Sequence, residues 1–231
     1  MRTARTLLVL LLLASAGVPT LRASASPIPR MILQPGSTPL VTFRLLFMTG
    51  AASDPTGKEG LAALTASMLS DGGSKSMSYD QIVEAMYPMA TSFSSQVDKE
   101  MTVFSGTTHI DNVDAYYGLV RQMLLDPGFR EDDFKRIKEN QINFLKVSLR
   151  GGNDEELGKE ALYAEIYRGT PYGHVNQGRV SSLEALTIDD VRNFYKTNYT
   201  QANLRIGLAG GYPKGFPDRV AKDFSVLPAG A

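Results

Sequence analysis

Few side chains in this sequence could do chemistry. Its 231 residues include no cysteine and two histidines, His109 and His174. The absence of cysteine excludes disulfides, thiolate zinc sites and cysteine nucleophiles together. A metal centre needs several His, Cys, Asp or Glu side chains aimed at one point. His109, in "TTHID", stands at a strand end and His174, in "PYGH", in a turn; each reads as structural. Three acidic pairs, Asp132-Asp133, Glu155-Glu156 and Asp189-Asp190, fall in the first turns of expected helices. Carboxylates there complement the helix dipole, so the pairs read as caps rather than acid/base machinery. "GLAGGYPKG" (207–215) lacks the spacing of a phosphate-cradling loop and reads as a turn after a strand. No G-x-S-x-G is present. Residue types alone build no active site.

Composition narrows the class. Apolar residues make up 43% and charged residues 21%, with formal net charge zero, which is globular composition. No basic run is present, which argues against a nucleic-acid partner. "MRTARTLLVLLLLASAGVPTLRASA" (1–25) has Arg2 and Arg5, an apolar run from Leu7 to Ala14 and a small-residue site at Ala23-Ser24-Ala25. It reads as a cleaved secretory signal, with an uncleaved anchor as the alternative. Cleavage removes three arginines and no acids, leaving 21 basic and 24 acidic residues, a net charge of −3. An exported, cysteine-free chain implies a periplasmic or secreted location.

The elements that must position any site follow in order. Residues 26–38 are rich in Pro, Ser and Gly and read as an extended lead-in to a domain spanning 39–231. "LVTFRLLFMTGA" (40–51) is a strand. "GLAALTASMLSDGG" (60–73) is a helix with Leu61, Leu64 and Met68 on one face. Its opposite face carries Ala63, Ala66, Ser67 and Ser70, where a surface helix would carry long polar residues. Ser78 and Gln81 are spaced as a capping box for a second helix. "ATSFSSQVD" and "EMTVFSGTTHI" read as an antiparallel hairpin turning near Asp98-Lys99. Helices follow over 112–129, stopped by Pro127, and 130–152, ended by Gly151-Gly152, with another over 154–169. Thr187 and Asp190 cap a short helix, and "NLRIGLAGG" is a last strand. Neighbouring antiparallel strands with helices massed on one side predict an α+β fold. The chain stops as a new amphipathic stretch begins, which suggests a domain incomplete at its C-terminus.

In that order the segments resemble the pitrilysin/insulinase family of metallopeptidases. "FRLLFMTGAASDPTGKEGLAALTASMLSDGG" looks like the start of such a domain, and "LLDPGFREDDFKRIKE", "GTPYGHVNQG" and "SLEALTIDDVRNFYKTNYTQANLRIGLAGG" match in order downstream. The likeness runs from about residue 38 to the C-terminus. In the family an inverted zinc motif, H-x-x-E-H, directly follows Gly-Leu-Ala. Carried over, the first zinc histidine falls on Ala63, the catalytic glutamate on Ala66 and the second histidine on Ser67. The family's third ligand, a glutamate, falls on Phe144, with Asn143 the alternative. Ala and Phe offer no lone pair and a lone Ser is a poor zinc ligand, so the resemblance implies a degenerate site that binds no zinc. Without a glutamate at 66, no base activates water.

The resemblance therefore implies a metallopeptidase homologue that is not catalytic. Its closest analogy is the inactive half of a processing-peptidase pair, which closes the chamber of an active zinc-peptidase subunit and helps hold an extended peptide. A stand-alone scaffold with no peptidase role, or part of a longer inactive protein, are the alternatives.

Overall fold

The structure is a computed structural model that describes residues 30–230; the expected signal segment lies outside the described residues. Five strands form one sheet in the order β1-β5-β2-β4-β3. Strand β2 (Leu40–Phe47) sets the pattern: Val41, Phe43, Leu45 and Phe47 are buried while Thr42, Arg44 and Leu46 face outward. That is the period-two alternation of a strand covered on one face. β2 pairs antiparallel with β4 (Thr102–His109) and with β5 (Leu204–Gly210), and β3 (Phe93–Val97) pairs antiparallel with β4. On the open face polar side chains meet across strands, Arg44 donating to Ser105 at 2.9 Å and Thr42 hydrogen-bonding Thr107 at 3.0 Å.

One expectation changes here. The lead-in belongs to the sheet: Arg30–Pro35 forms β1, which pairs in parallel with β5. The sheet is therefore mixed, and the folded unit takes in residues 30–35 of the stretch read as an extended lead-in. The amphipathic stretch after β5 forms α9 (Phe216–Phe224), which buries Phe216, Val220 and Phe224. No composition signal separates a peripheral edge strand from an extended tail, because β1 is mostly exposed.

Helices with buried faces supply the core opposite the sheet: α1 (Leu61–Asp71), α2 (Tyr79–Met86), α3 (Val113–Leu125), α4 (Glu131–Asn143), α7 (Val180–Ala185) and α8 (Ile188–Asn198), whereas α5 (Arg150–Gly152) and α6 (Asp154–Ile166) bury no residue. Both expected capping boxes form, at Ser78/Gln81 and Thr187/Asp190. The aromatic core binds the layers together. Phe43 meets Tyr116, Tyr117 and Phe216 at 5.5–6.1 Å, and Phe47 meets Phe104 and Tyr199 at 6.1 and 4.7 Å. The long helix is not uniform. Between α4 and α5 it widens into a π-helical stretch, Phe144–Leu149, a rare geometry that concentrates at functional sites.

Helix α1 lies in the centre of this arrangement, against β3, α4, α8 and α3. It is buried almost all round, from Leu61 to Ser70, with Ser67 the exception. The small-residue face is therefore no solvent face. Ala62 and Ala66 let neighbouring elements approach closely, and Ser70 hydrogen-bonds Ser95 of β3 at 3.0 Å.

Candidate functional site

The start of α1 is fastened from two sides. Asp54, in the turn before the helix, has a fully buried side chain. Its Oδ2 accepts from the Gly60 N–H at 2.6 Å and its Oδ1 from the Ala62 N–H at 2.7 Å. These are among the donors that a helix start leaves without intrahelical partners. His174 Nε2 lies 3.2 Å from Asp54 Oδ2 and is itself buried, so the ring donates there. His174 is thus structural, in keeping with its reading from sequence. From the other side, Gln141 of α4 donates to the carbonyls of Gly60 (3.1 Å) and Gln177 (2.8 Å), tying α1, α4 and the loop before α7 together. Gly60 sits at φ 96° with room only for hydrogen at Cα, since a Cβ would stand 2.5 Å from the Gln177 carbonyl oxygen.

Beside this knot a cavity of about 490 Å³ opens between α1, the edge strand β3 and α4. Ala63 and Ser67 line it from α1, Ser95, Gln96 and Val97 from β3, and Asn140, Gln141 and Phe144 from α4 and the π-helical stretch. Of the four family-motif positions, the structure brings Ala63, Ser67 and Phe144 to one cavity. Asn143, the alternative to Phe144, is not among its lining residues. Ala66 is fully enclosed in the core and does not line the cavity. The donor set does not fit zinc. Two of the three converging side chains carry no lone pair, and among the described residues no group of three His, Cys, Asp or Glu side chains could hold a metal ion.

The cavity's polar character comes from residues with no motif signal. Asp71 ends α1 inside it, and burial pushes its carboxyl up, against the opposing pull of the Ser70 hydroxyl and the Arg136 charge. Burial also pushes the Tyr79 phenol up, helped by the nearby Asp71. Arg136 lies 5.4 Å over the Tyr79 ring and donates to the Asp71 carbonyl at 2.6 Å and to Asp133 at 2.8 Å. Asp71, Tyr79, Arg136 and Gln141 were not legible as site residues; each is an ordinary polar helix residue in sequence. The other candidates stay apart. His109 accepts from the Asp111 N–H at the surface, and the pairs Asp132-Asp133, Glu155-Glu156 and Asp189-Asp190 occupy first turns of α4, α6 and α8. "GLAGGYPKG" supplies most of β5 and the turn that follows.

A mixed five-stranded sheet, helices over its apolar face and a cavity between a central helix and an edge strand define the class: an α+β half-domain of metallopeptidase architecture. The chain matches the model of Insulinase (Peptidase family M16) over residues 30–176, and it belongs to that family. It is 22% identical over 170 residues to an uncharacterized zinc protease of Rickettsia bellii, covering 74% of this chain and 40% of that protein. It is 24% identical over 112 residues to a probable mitochondrial-processing peptidase subunit beta of Arabidopsis thaliana, covering 48% of this chain and 21% of that one. Among solved structures it superposes on the peptidase M16 inactive domain from Pseudomonas fluorescens with a TM-score of 0.79 at 23% identity, over 89% of this chain and 51% of that one. The periplasmic protease PqqL from Escherichia coli gives a TM-score of 0.77 at 15% identity, over 89% of this chain and 24% of that one. The chain thus spans 40% of the Rickettsia relative and about half of the Pseudomonas structure.

Proposed function

We propose that this chain is a non-catalytic M16 half-domain that holds an extended peptide beside an active zinc-peptidase unit and helps close that unit's chamber, in the periplasm or after secretion. One observation carries the reading. The cavity at Ala63, Ser67 and Phe144, which offers no zinc ligand set, opens directly along β3, a strand that among the described residues is paired on one side only. An unpaired strand edge complements an extended main chain, which can add to the sheet through backbone hydrogen bonds. The match to an M16 domain described as inactive supports the absence of catalysis, and the spans given above leave room for a second unit. The export signal read from residues 1–25 and the periplasmic relative support the location.

The test combines zinc analysis, peptide binding and cleavage. The purified protein should bind labelled extended peptides by fluorescence anisotropy, return them uncut and contain no stoichiometric zinc. Mixed with an H-x-x-E-H-bearing M16 peptidase unit from the same cell, it should raise that unit's kcat/KM. Peptide cleavage by the chain alone with bound zinc would refute the proposal.

A further inference from the structure

The cavity between α1, β3 and α4 carries hydrogen-bonding groups that the fold itself does not use. Gln141 is the best defined of them. It is 8% exposed, and both hydrogens of its Nε2 are donated, to the carbonyls of Gly60 and Gln177. Those two bonds fix the carboxamide and leave its Oε1 without a partner among the described residues. The oxygen is not sealed in protein, so it opens on the cavity that the residue lines. The Ser67 hydroxyl and the side-chain amides of Asn140 and Gln177 line the same cavity and make no hydrogen bond among the described residues. Charge is confined to Asp71 and Arg136. Arg136 is committed to the Asp71 carbonyl and to Asp133, and the Asp71 carboxyl accepts from Ser70 at 3.1 Å. Ala63, Val97 and Phe144 add apolar surface, with Phe144 38% exposed.

We propose that this cavity is a binding site for a small neutral saccharide, a hexose or a disaccharide of hexoses. The reading stands independently of the peptide-holding one. A hydroxyl both donates and accepts, whereas a fixed carboxamide oxygen only accepts and an amide NH₂ only donates. A ring of hydroxyls therefore answers Gln141 Oε1, the Ser67 hydroxyl and the amides of Asn140 and Gln177 together. The C–H face of a pyranose is apolar and suits the Phe144 ring, Ala63 and Val97. The volume of about 490 Å³ lies within the range of small-molecule pockets. With Arg136 already committed, an anionic sugar gains no free counter-ion. A peptide main chain fits these groups less well. A strand added to β3 points its N–H and C=O groups in the plane of the sheet, away from side chains on α1 and α4.

Isothermal titration calorimetry of the purified protein with glucose, galactose, N-acetylglucosamine and maltose tests this. At least one should bind at a single site per chain with Kd of ~1 mM or tighter. Asn140→Leu, at an exposed position, removes hydrogen-bonding groups that the fold does not use. It should weaken that sugar at least about fivefold and leave the circular dichroism spectrum and Tm unchanged. Ala63→Leu, which puts bulk into the cavity, should abolish binding. An unlabelled Gly/Ser peptide should leave the sugar's affinity unchanged. No saturable binding by any of these sugars up to ~10 mM overturns the inference while the peptide-holding reading stands. Binding that survives both variants puts the sugar elsewhere and also overturns it. Displacement of the sugar by the peptide would make the cavity part of the peptide's own site, which overturns the inference and supports the other reading.

Discussion

Asp54→Ala should nearly unfold the protein, although the residue sits in a turn and touches no ligand. Its carboxyl oxygens accept from the N–H groups of Gly60 and Ala62 and from His174 Nε2. The side chain is fully buried and His174 is 7% exposed, so water does not readily replace the lost acceptor. Each buried donor left without a partner costs ~1–3 kcal/mol. Three of them give ~3–9 kcal/mol, and partial relaxation of the turn brings the expected loss to ~5 kcal/mol. A domain of this kind has ~5–15 kcal/mol in all. Urea unfolding followed by circular dichroism measures the loss, with the m-value expected to hold constant. Asp54→Asn keeps one acceptor oxygen and should lose less. Native-state hydrogen exchange adds local resolution, because protection at the amides of Gly60 and Ala62 should fall first. A loss below ~1 kcal/mol for Asp54→Ala, with protection at those amides intact, would show that the carboxyl does not clamp the start of α1.

Three further outcomes follow from the same geometry. Ala63→His, Ser67→His and Phe144→Glu together should create zinc affinity with Kd at or below ~1 µM, read by competition with a chromophoric chelator; a folded triple variant that binds none would mean the three positions do not converge. Adding Ala66→Glu should lower Tm sharply, because it forces a carboxylate into a fully buried position. Gly60→Ala should cost at least ~2 kcal/mol in urea unfolding, since it strains a φ of 96° and meets the Gln177 carbonyl oxygen. At alkaline pH the buried phenols should drive unfolding. Burial, with a contribution from Asp126, raises Tyr195 to about 12, and burial raises Tyr116, Tyr117 and Tyr199 in the same direction. A folded pKa above the unfolded value of ~10 means their stabilisation is complete below pH ~10 and lost as pH climbs toward 12. Phenolate absorbance should therefore rise cooperatively with loss of circular dichroism; early, non-cooperative titration of all ten tyrosines would contradict it.

What was legible in the sequence was what local rules govern. The alternation of β2 and the capping boxes at Ser78 and Thr187 are decided within a few residues, and the structure has them. The acidic first turns of α4, α6 and α8 follow the same logic. Long-range placement was not legible. β1 becomes a strand only because β5 lies beside it, with paired residues 175 apart in sequence (Arg30 against Arg205, Pro35 against Gly210). The π-helical widening at Phe144 and the bridging role of Gln141 depend on α1 packing against α4, which no window of the sequence contains. Asp54 was visible as an acid in a turn, but not its buried partner 120 residues on.

The motif positions differ in what the fold asks of them. Ala66 is enclosed by the core, so its size is fixed by packing: extra volume there must displace neighbours. Ala63 and Ser67 reach the cavity, and Phe144 faces it from a helix that has already widened. Larger or charged side chains at those three positions would enter open space rather than the core. The scaffold therefore constrains Ala63, Ser67 and Phe144 weakly, and their chemistry answers to whatever occupies the cavity. Asp54, Gly60 and Gln141 carry the opposite burden, since they hold α1 in place through buried hydrogen bonds and a close backbone approach. This separation explains how one architecture can keep its cavity and edge strand whether or not the cavity offers metal ligands. It also makes the zinc-ligand substitutions the cleaner probe of the cavity, because their failure to bind metal would not be confused with failure to fold.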